Sequence, residues 1–285
     1  MVQAQVPGGL TFEDFLDRSR RALLEIPPLE FDEFGKIRPT PFTVITDPWD
    51  QRGLKGSMYT VLRNAHKAGV KAVVSEGFSG KPAGEFLRYG WETLYGTEGL
   101  PRFFSTGDSM VDEPGVVHQE SSIEMMGNIR ITDLAKGEGV ERAAEVVSKR
   151  FPSLLDFQRE PVLVMSEFMD KGKSFKAMER VLEHLGFTDL HYGALVANED
   201  NVKSEFVHAP YRTKVKPWIG NWVSNRHHID TPTVPWLHLR SDLYNEYKKP
   251  EAEQDKALIE GNRSKMRQTY KELKILAGQI KDLPK

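Results

Sequence analysis

From about residue 56 the chain alternates two kinds of hydrophobic pattern. Short, nearly unbroken apolar runs predict buried strands: "VKAVVSEG" at 70–77, "PRFFSTG" at 101–107, "PVLVMSE" at 161–167 and "DLHYGALVAN" at 189–198. Between them, apolar residues return every three or four positions, which predicts helices with one buried stripe. In "AGEFLRYGWETLYG" (83–96) the stripe is Ala83, Phe86, Leu87, Trp91, Leu94 and Tyr95. In "KSFKAMERVLEHLG" (173–186) it is Phe175, Met178, Val181, Leu182 and Leu185. Further helices are expected at "SMYTVLRNAHKAG" (57–69) and "GVERAAEVVSKRF" (139–151). Strands alternating with helices of this length predict βαβ units. The expected class is α/β: a Rossmann-like, mostly parallel twisted sheet flanked by helices.

The pattern divides the chain into a core at 56–200 and three flanking parts. Residues 1–55 read as an N-terminal extension, with a short helix at "FEDFLDRSRRALLEI" and then prolines through "RPTPF" and "DPWDQRG". Proline fixes φ and removes a donor, so turns and extended chain are expected there. Residues 201–247 hold three of the five tryptophans (Trp218, Trp222, Trp236) and several prolines, which suggests a small irregular cap. Residues 248–285 carry one charged helix, at 251–282, with Ile259, Met266, Tyr270, Leu273 and Ile280 on one face. That face must cover the body or a partner helix; packing on the body is the reading taken, a homodimer its alternative. Inside the core, residues 107–138 form a polar excursion rich in Gly, Asp, Glu and Ser. A long loop within a compact domain is often functional.

Composition narrows the function. Lys and Arg number 39 against 41 Asp and Glu, a net charge of −2, which argues against broad binding to nucleic acid or an anionic membrane. No cysteine is present, excluding disulfides, thiolate catalysis and cysteine metal sites. The start "MVQAQVPGGLTFEDF" lacks the charged and apolar regions of a signal peptide, and no apolar run reaches the ~20 residues that span a bilayer. A soluble, cytoplasmic protein is expected. His227 and His228 with Asp230 suggest a metal only weakly, since adjacent residues point to different sides of an element.

The chemistry concentrates in "SEFMDKGKS", residues 166–174, where a parallel strand hands over to a helix. Helix N-termini present unpaired N–H groups and the positive end of the helix dipole, so this corner attracts phosphate. Gly172 lets the backbone approach an anion, Ser174 offers a hydroxyl, and Lys171 and Lys173 offer charge. A P-loop is excluded, because its first glycine would fall at Glu167.

An apolar run (Val162, Leu163, Val164, Met165), an acidic-pair position, two apolar residues and Asp-x-Gly-Lys-Ser together resemble the ribose-phosphate signature of type I phosphoribosyltransferases. The resemblance covers residues 56–200 best. It implies that Glu167 faces the ribose and reaches Mg²⁺ indirectly, and that Asp170 sits near the base and exchanges a proton with it. It also implies that Ser166, Lys171, Gly172, Lys173 and Ser174 surround the 5′-phosphate. "VVSEGFSGKPAGEFL" (73–87) is similar to the family's pyrophosphate loop, which assigns Ser79, Gly80 and Lys81 to the leaving pyrophosphate. The family's base-clamping hood would correspond to 201–247, where "TVPWLHL" is similar to an aromatic-containing hood strand. Trp222 and Trp236 are the candidate base-stacking residues, while packing is the favoured reading of these two and of Trp218. The implied partners are phosphoribosyl pyrophosphate and a nucleobase-like acceptor.

Two positions depart from the family: Ser166 replaces its first acid and Lys171 its threonine. Where such enzymes carry a basic catalytic loop, the excursion is acidic, leaving Arg102 and Arg130 to supply charge. These departures carry the alternative reading, a non-catalytic or regulatory ribose-phosphate or nucleotide-binding protein of the same fold.

Overall fold

Short runs of small and β-branched residues build one parallel sheet. Its strands are β1 (Ala72–Ser75), β2 (Arg102–Ser105), β3 (Val162–Met169), β4 (Leu190–Asn198) and β5 (Trp218–Val223). The computed structural model describes residues 42–75, 77–105, 131–198, 211–223 and 249–283, with positions 234, 236, 239, 242, 243 and 246 between them. Residues 42–285 form one compact unit, to which the following refers. The expected helix at 12–26, most of the 107–138 excursion, Arg130 and the His227–His228–Asp230 group lie outside the described residues.

The strand order is β2-β1-β3-β4-β5 and every neighbouring pair is parallel. From β1 the chain steps outward to β2, crosses back over β1 to β3, and then proceeds to β4 and β5. The direction reverses between β1 and β3. Right-handed crossovers that travel in opposite directions place their helices on opposite faces. Accordingly α1 (Pro48–Lys67), α2 (Gly77–Tyr95) and, from the far end of the chain, α6 (Lys256–Gly278) cover one face. The other carries α3 (Ile131–Lys136), α4 (Val140–Arg150) and α5 (Lys173–His184).

Strand alternation feeds both cores. Val73, Leu163 and Met165 pack with Met58, Phe86 and Leu273 on the first face. Val74, Val162 and Val164 pack with Leu134, Phe175 and Val181 on the second. β3 is buried from Val162 to Glu167 because helices cover both its sides.

Several boundaries differ from expectation. α1 starts at Pro48 rather than Ser57: proline at the first helical position forfeits a hydrogen bond that no residue there can make, and its φ suits the helix. α2 starts at Gly77, so "FSGKP" is its first turns and not a loop, and Pro82 lies inside the helix. Burial of Ala83, Phe86 and Leu87 against the sheet outweighs the local penalty of the proline. β5 falls inside the expected irregular cap, yet it is a regular strand paired with β4. Val234, Trp236, Leu239 and Leu243, from the same segment, are buried in the first core. α6 begins at Lys256, capped by the Asp255 carboxylate, which accepts from the Leu258 amide at 3.0 Å. It packs along α2, so its apolar stripe is covered from within the chain.

Two contacts lock the first face. The fully buried Glu272 carboxylate, on α6, accepts hydrogen bonds from the amides of Thr43 (2.6 Å), Val44 (3.1 Å) and Ile45 (2.7 Å). Gly220 on β5 lets α1 approach closely, since a Cβ there would lie 2.5 Å from Ser57 Cα and 2.8 Å from the Leu195 carbonyl oxygen. Both obstacles are backbone, so Gly220→Ala is expected to destabilise the fold by roughly 1–3 kcal/mol or more in urea unfolding. Unchanged stability would mean that α1 is not seated against β5. Among the described residues no helix is long and apolar enough to cross a membrane.

Candidate functional site

β3 continues two residues further than the apolar run alone suggests. Phe168 and Met169 still pair with Val196 and Ala197 of β4, which leaves Asp170, Lys171 and Gly172 as the whole turn before α5. Gly172 adopts φ 75° and ψ 7°, the left-handed region, and caps the helix. A Cβ there would also meet Met169 Cε at 2.9 Å. Its carbonyl accepts from the Lys176 amide at 3.0 Å, closing the first helical turn. The amides of Lys173, Ser174 and Phe175 precede any intrahelical partner and point out of the helix end. No acid lies in the first turn of α5 to neutralise that end of the dipole.

A cavity of ≈ 420 Å³ opens at this place. Ser166, Phe168 and Met169 of β3 form one wall, the run Asp170–Phe175 forms the floor, and Ile131 and Thr132 of α3 stand across it. Asp170 and Lys171 are exposed, whereas Lys173 and Ser174 are half-buried. The ammonium of Lys173 stands 5.1 Å from the ring centre of Tyr211. Ser166 donates its hydroxyl to the Phe168 carbonyl at 3.2 Å.

Six of the sequence-predicted residues therefore line one cavity: Ser166, Asp170, Lys171, Gly172, Lys173 and Ser174. Glu167 does not. Neighbours in a strand face opposite sides of the sheet, and while Ser166 lines the cavity, Glu167 is fully buried away from it. Ser79, Gly80 and Lys81 lie in the first turns of α2, across the sheet from α5. Because β1 and β3 are parallel neighbours, the N-termini of α2 and α5 open at the same carboxyl edge, where the chain direction reverses. Open α/β sheets bind their ligands at that edge.

Trp236 is completely buried in the first core, which fits packing rather than stacking. Trp222 is 41% exposed. Met169, Ala197 and Trp222 form one row of register partners, so Trp222 stands two strand spacings, roughly 10 Å, from the turn. Trp218 stacks on His191 at 4.9 Å. Arg102 opens β2 at the amino edge, opposite the cavity.

Sequence reasoning missed Ile131, Thr132 and Tyr211. The first two belong to a helix of 6 residues inside the polar excursion, too short to show a period. Tyr211 reaches the turn only through the fold.

Among the described residues no group of three or more His, Cys, Asp or Glu side chains is placed to hold a metal ion. The cavity wall offers one carboxylate, Asp170. That suits Mg²⁺, which keeps several waters and is held by one or two carboxylates together with substrate phosphates. The fold and this corner define an α/β protein with a polar cavity at the carboxyl end of its central strand, beside a helix N-terminus. Comparison with protein-family models, curated proteins and solved structures gave no match.

Proposed function

We propose that the cavity beyond β3 binds the 5′-phosphate of a phosphoribosyl compound, and that the chain is a phosphoribosyltransferase-like enzyme of the cytoplasm. It would move ribose 5-phosphate from phosphoribosyl pyrophosphate to a nucleobase-like heterocycle. The observation that carries this reading is the left-handed Gly172 turn. It sits at the N-terminus of α5, beside the reversal point of the sheet, and forms the floor of a cavity.

In the reaction a ring nitrogen of the acceptor forms a bond to ribose C1. The bond from C1 to the pyrophosphate oxygen breaks, and pyrophosphate leaves with the electron pair. The amides of Lys173, Ser174 and Phe175, the Ser174 hydroxyl and the two lysines hold the 5′-phosphate and fix the sugar's position. Asp170, exposed on the cavity lining, would exchange a proton with the base. The first-turn amides of α2 face the edge where the leaving group would lie. Mg²⁺, carried by the diphosphate and reached by Asp170, would supply charge neutralisation of the leaving group. Trp222, roughly 10 Å from the turn along the register row, stands about one nucleotide length from the phosphate and offers a stacking face.

A second reading is a ribose-phosphate-binding protein without turnover. It is favoured by the wall at β3, which presents the Ser166 hydroxyl where the family has an acid while Glu167 is buried elsewhere. Two measurements separate the readings. Calorimetric titration with ribose 5-phosphate tests the pocket. Pyrophosphate release from phosphoribosyl pyrophosphate, Mg²⁺ and a panel of bases tests the chemistry. Lys173→Gln and Ser174→Ala are each expected to weaken ribose 5-phosphate binding about tenfold, the scale of one hydrogen bond to a charged group. Parent-like affinity in both variants would remove the phosphate cradle.

A further inference from the structure

A further buried carboxylate lies on α5, two helical turns beyond Gly172. Glu179 of α5 is 1% exposed and accepts from the Lys214 amide at 2.6 Å and from the Tyr192 hydroxyl at 3.3 Å. It is also paired with the Lys176 ammonium. Burial, and then the charge of Glu179 beside it, push the Tyr192 hydroxyl well above its ordinary pKa, so it stays a donor. The Lys214 ammonium meets Glu183 one helical turn further on, at 2.5 Å. Thr213, itself buried, donates its hydroxyl to the Val215 carbonyl at 2.8 Å.

The two contacts of Lys214 tie the segment 211–215 to α5, and the Thr213 bond closes a turn within it. At the upper end of the segment the Tyr211 carbonyl oxygen lies 3.5 Å from where a Cβ on Gly172 would sit. Its ring stands under the Lys173 ammonium. Tyr211 does not line the cavity; Lys173 does. A lysine fixed on an anion gives up most of its rotamer freedom. A ring face that already confines the ammonium removes part of that cost before the ligand arrives.

We infer that Tyr211 is a positioning residue for phosphate binding: its ring holds the Lys173 ammonium over the turn, and the buried Glu179 holds the segment that carries it. This rests on the reading of the turn as a phosphate cradle. The contact is with the face of the ring, so the phenolic oxygen is dispensable and the ring is not.

The test is a double-mutant cycle in the full chain, read by calorimetry with ribose 5-phosphate below the melting temperature of every variant. Tyr211→Phe should bind like the parent. Tyr211→Leu, which keeps an apolar side chain but removes the π face, should bind roughly 3- to 30-fold more weakly. In a Lys173→Gln background, Tyr211→Leu should cost nothing further. Parent-like affinity in Tyr211→Leu, or an equal loss in both backgrounds, would overturn the positioning role while leaving the cradle intact. No binding by the parent chain would overturn the cradle reading and this inference with it.

Discussion

Asp170→Ala is expected to fold like the parent and bind ribose 5-phosphate within a few-fold of it, yet lose about 10²–10⁴-fold in turnover. The first two parts follow from position. Asp170 is exposed at the mouth of the cavity, and surface substitutions commonly change stability by less than ~0.5 kcal/mol. In the proposed cradle the phosphate contacts come from the amides and side chains that follow Asp170, which the substitution leaves in place. The third part follows from chemistry. Asp170 is the carboxylate on the cavity wall, and a proton leaving the acceptor needs a base within reach. Loss of turnover with intact binding therefore separates chemistry from recognition, through kcat measured beside the calorimetric Kd. Parent-like turnover would remove Asp170 from the reaction. Pyrophosphate release that neither parent nor variant performs would favour the binding-protein reading.

Glu272→Ala is expected to cost about 1–3 kcal/mol or more of folding stability, a sizeable part of the 5–15 kcal/mol typical of a domain. The carboxylate gathers three consecutive amides, Thr43 to Ile45, and the Thr43 hydroxyl at 3.1 Å, and Gln268 adds an amide donor at 3.1 Å. Truncation removes the acceptor and leaves that group of donors, centred on the buried Ile45, without it. Glu272→Gln keeps one oxygen but turns an amide donor toward other donors, so it should fall between parent and alanine. Urea unfolding with an unchanged m-value is the measurement. A loss below ~1 kcal/mol in Glu272→Ala would show that packing alone holds residues 43–45 against α6.

The regular interior was legible because its periods are strong. "KSFKAMERVLEHLG" shows a clear helical stripe, and Lys173–His184 is that helix. What escaped depended on tertiary facts. "WIGNWV" holds a glycine and follows a proline, which made it look irregular. Gly220 is there because α1 lies against it, a demand that comes from residue 57 and cannot be read locally. "FSGKP" carried every sign of a loop, yet the apolar residues after it hold the helix on the sheet from Gly77. At the site, the handover from strand to helix at Asp170–Gly172 was legible, while the extent of the strand before it was not. Phe168 and Met169 read as part of the turn, but pairing with β4 keeps them in the strand; Ser166 and Glu167, side by side in that strand, face opposite ways, which a motif read along the sequence does not show. Tyr211 carries no motif, since its place beside Lys173 is set by Glu179 and the path of residues 211–215.

The reversal in strand order also sets an order of assembly. Joining β2 to β3 must close residues 106–161, while β3 reaches β4 through 170–189 alone. Shorter closures lose less chain entropy and form sooner. The β3–α5–β4 unit is thus the natural nucleus, and the turn at Gly172 takes shape within it. On that order the pocket's floor forms before the sheet around it is complete, so damage to the sheet's outer edge, outside the nucleus, should chiefly speed unfolding of the chain rather than slow the formation of this corner.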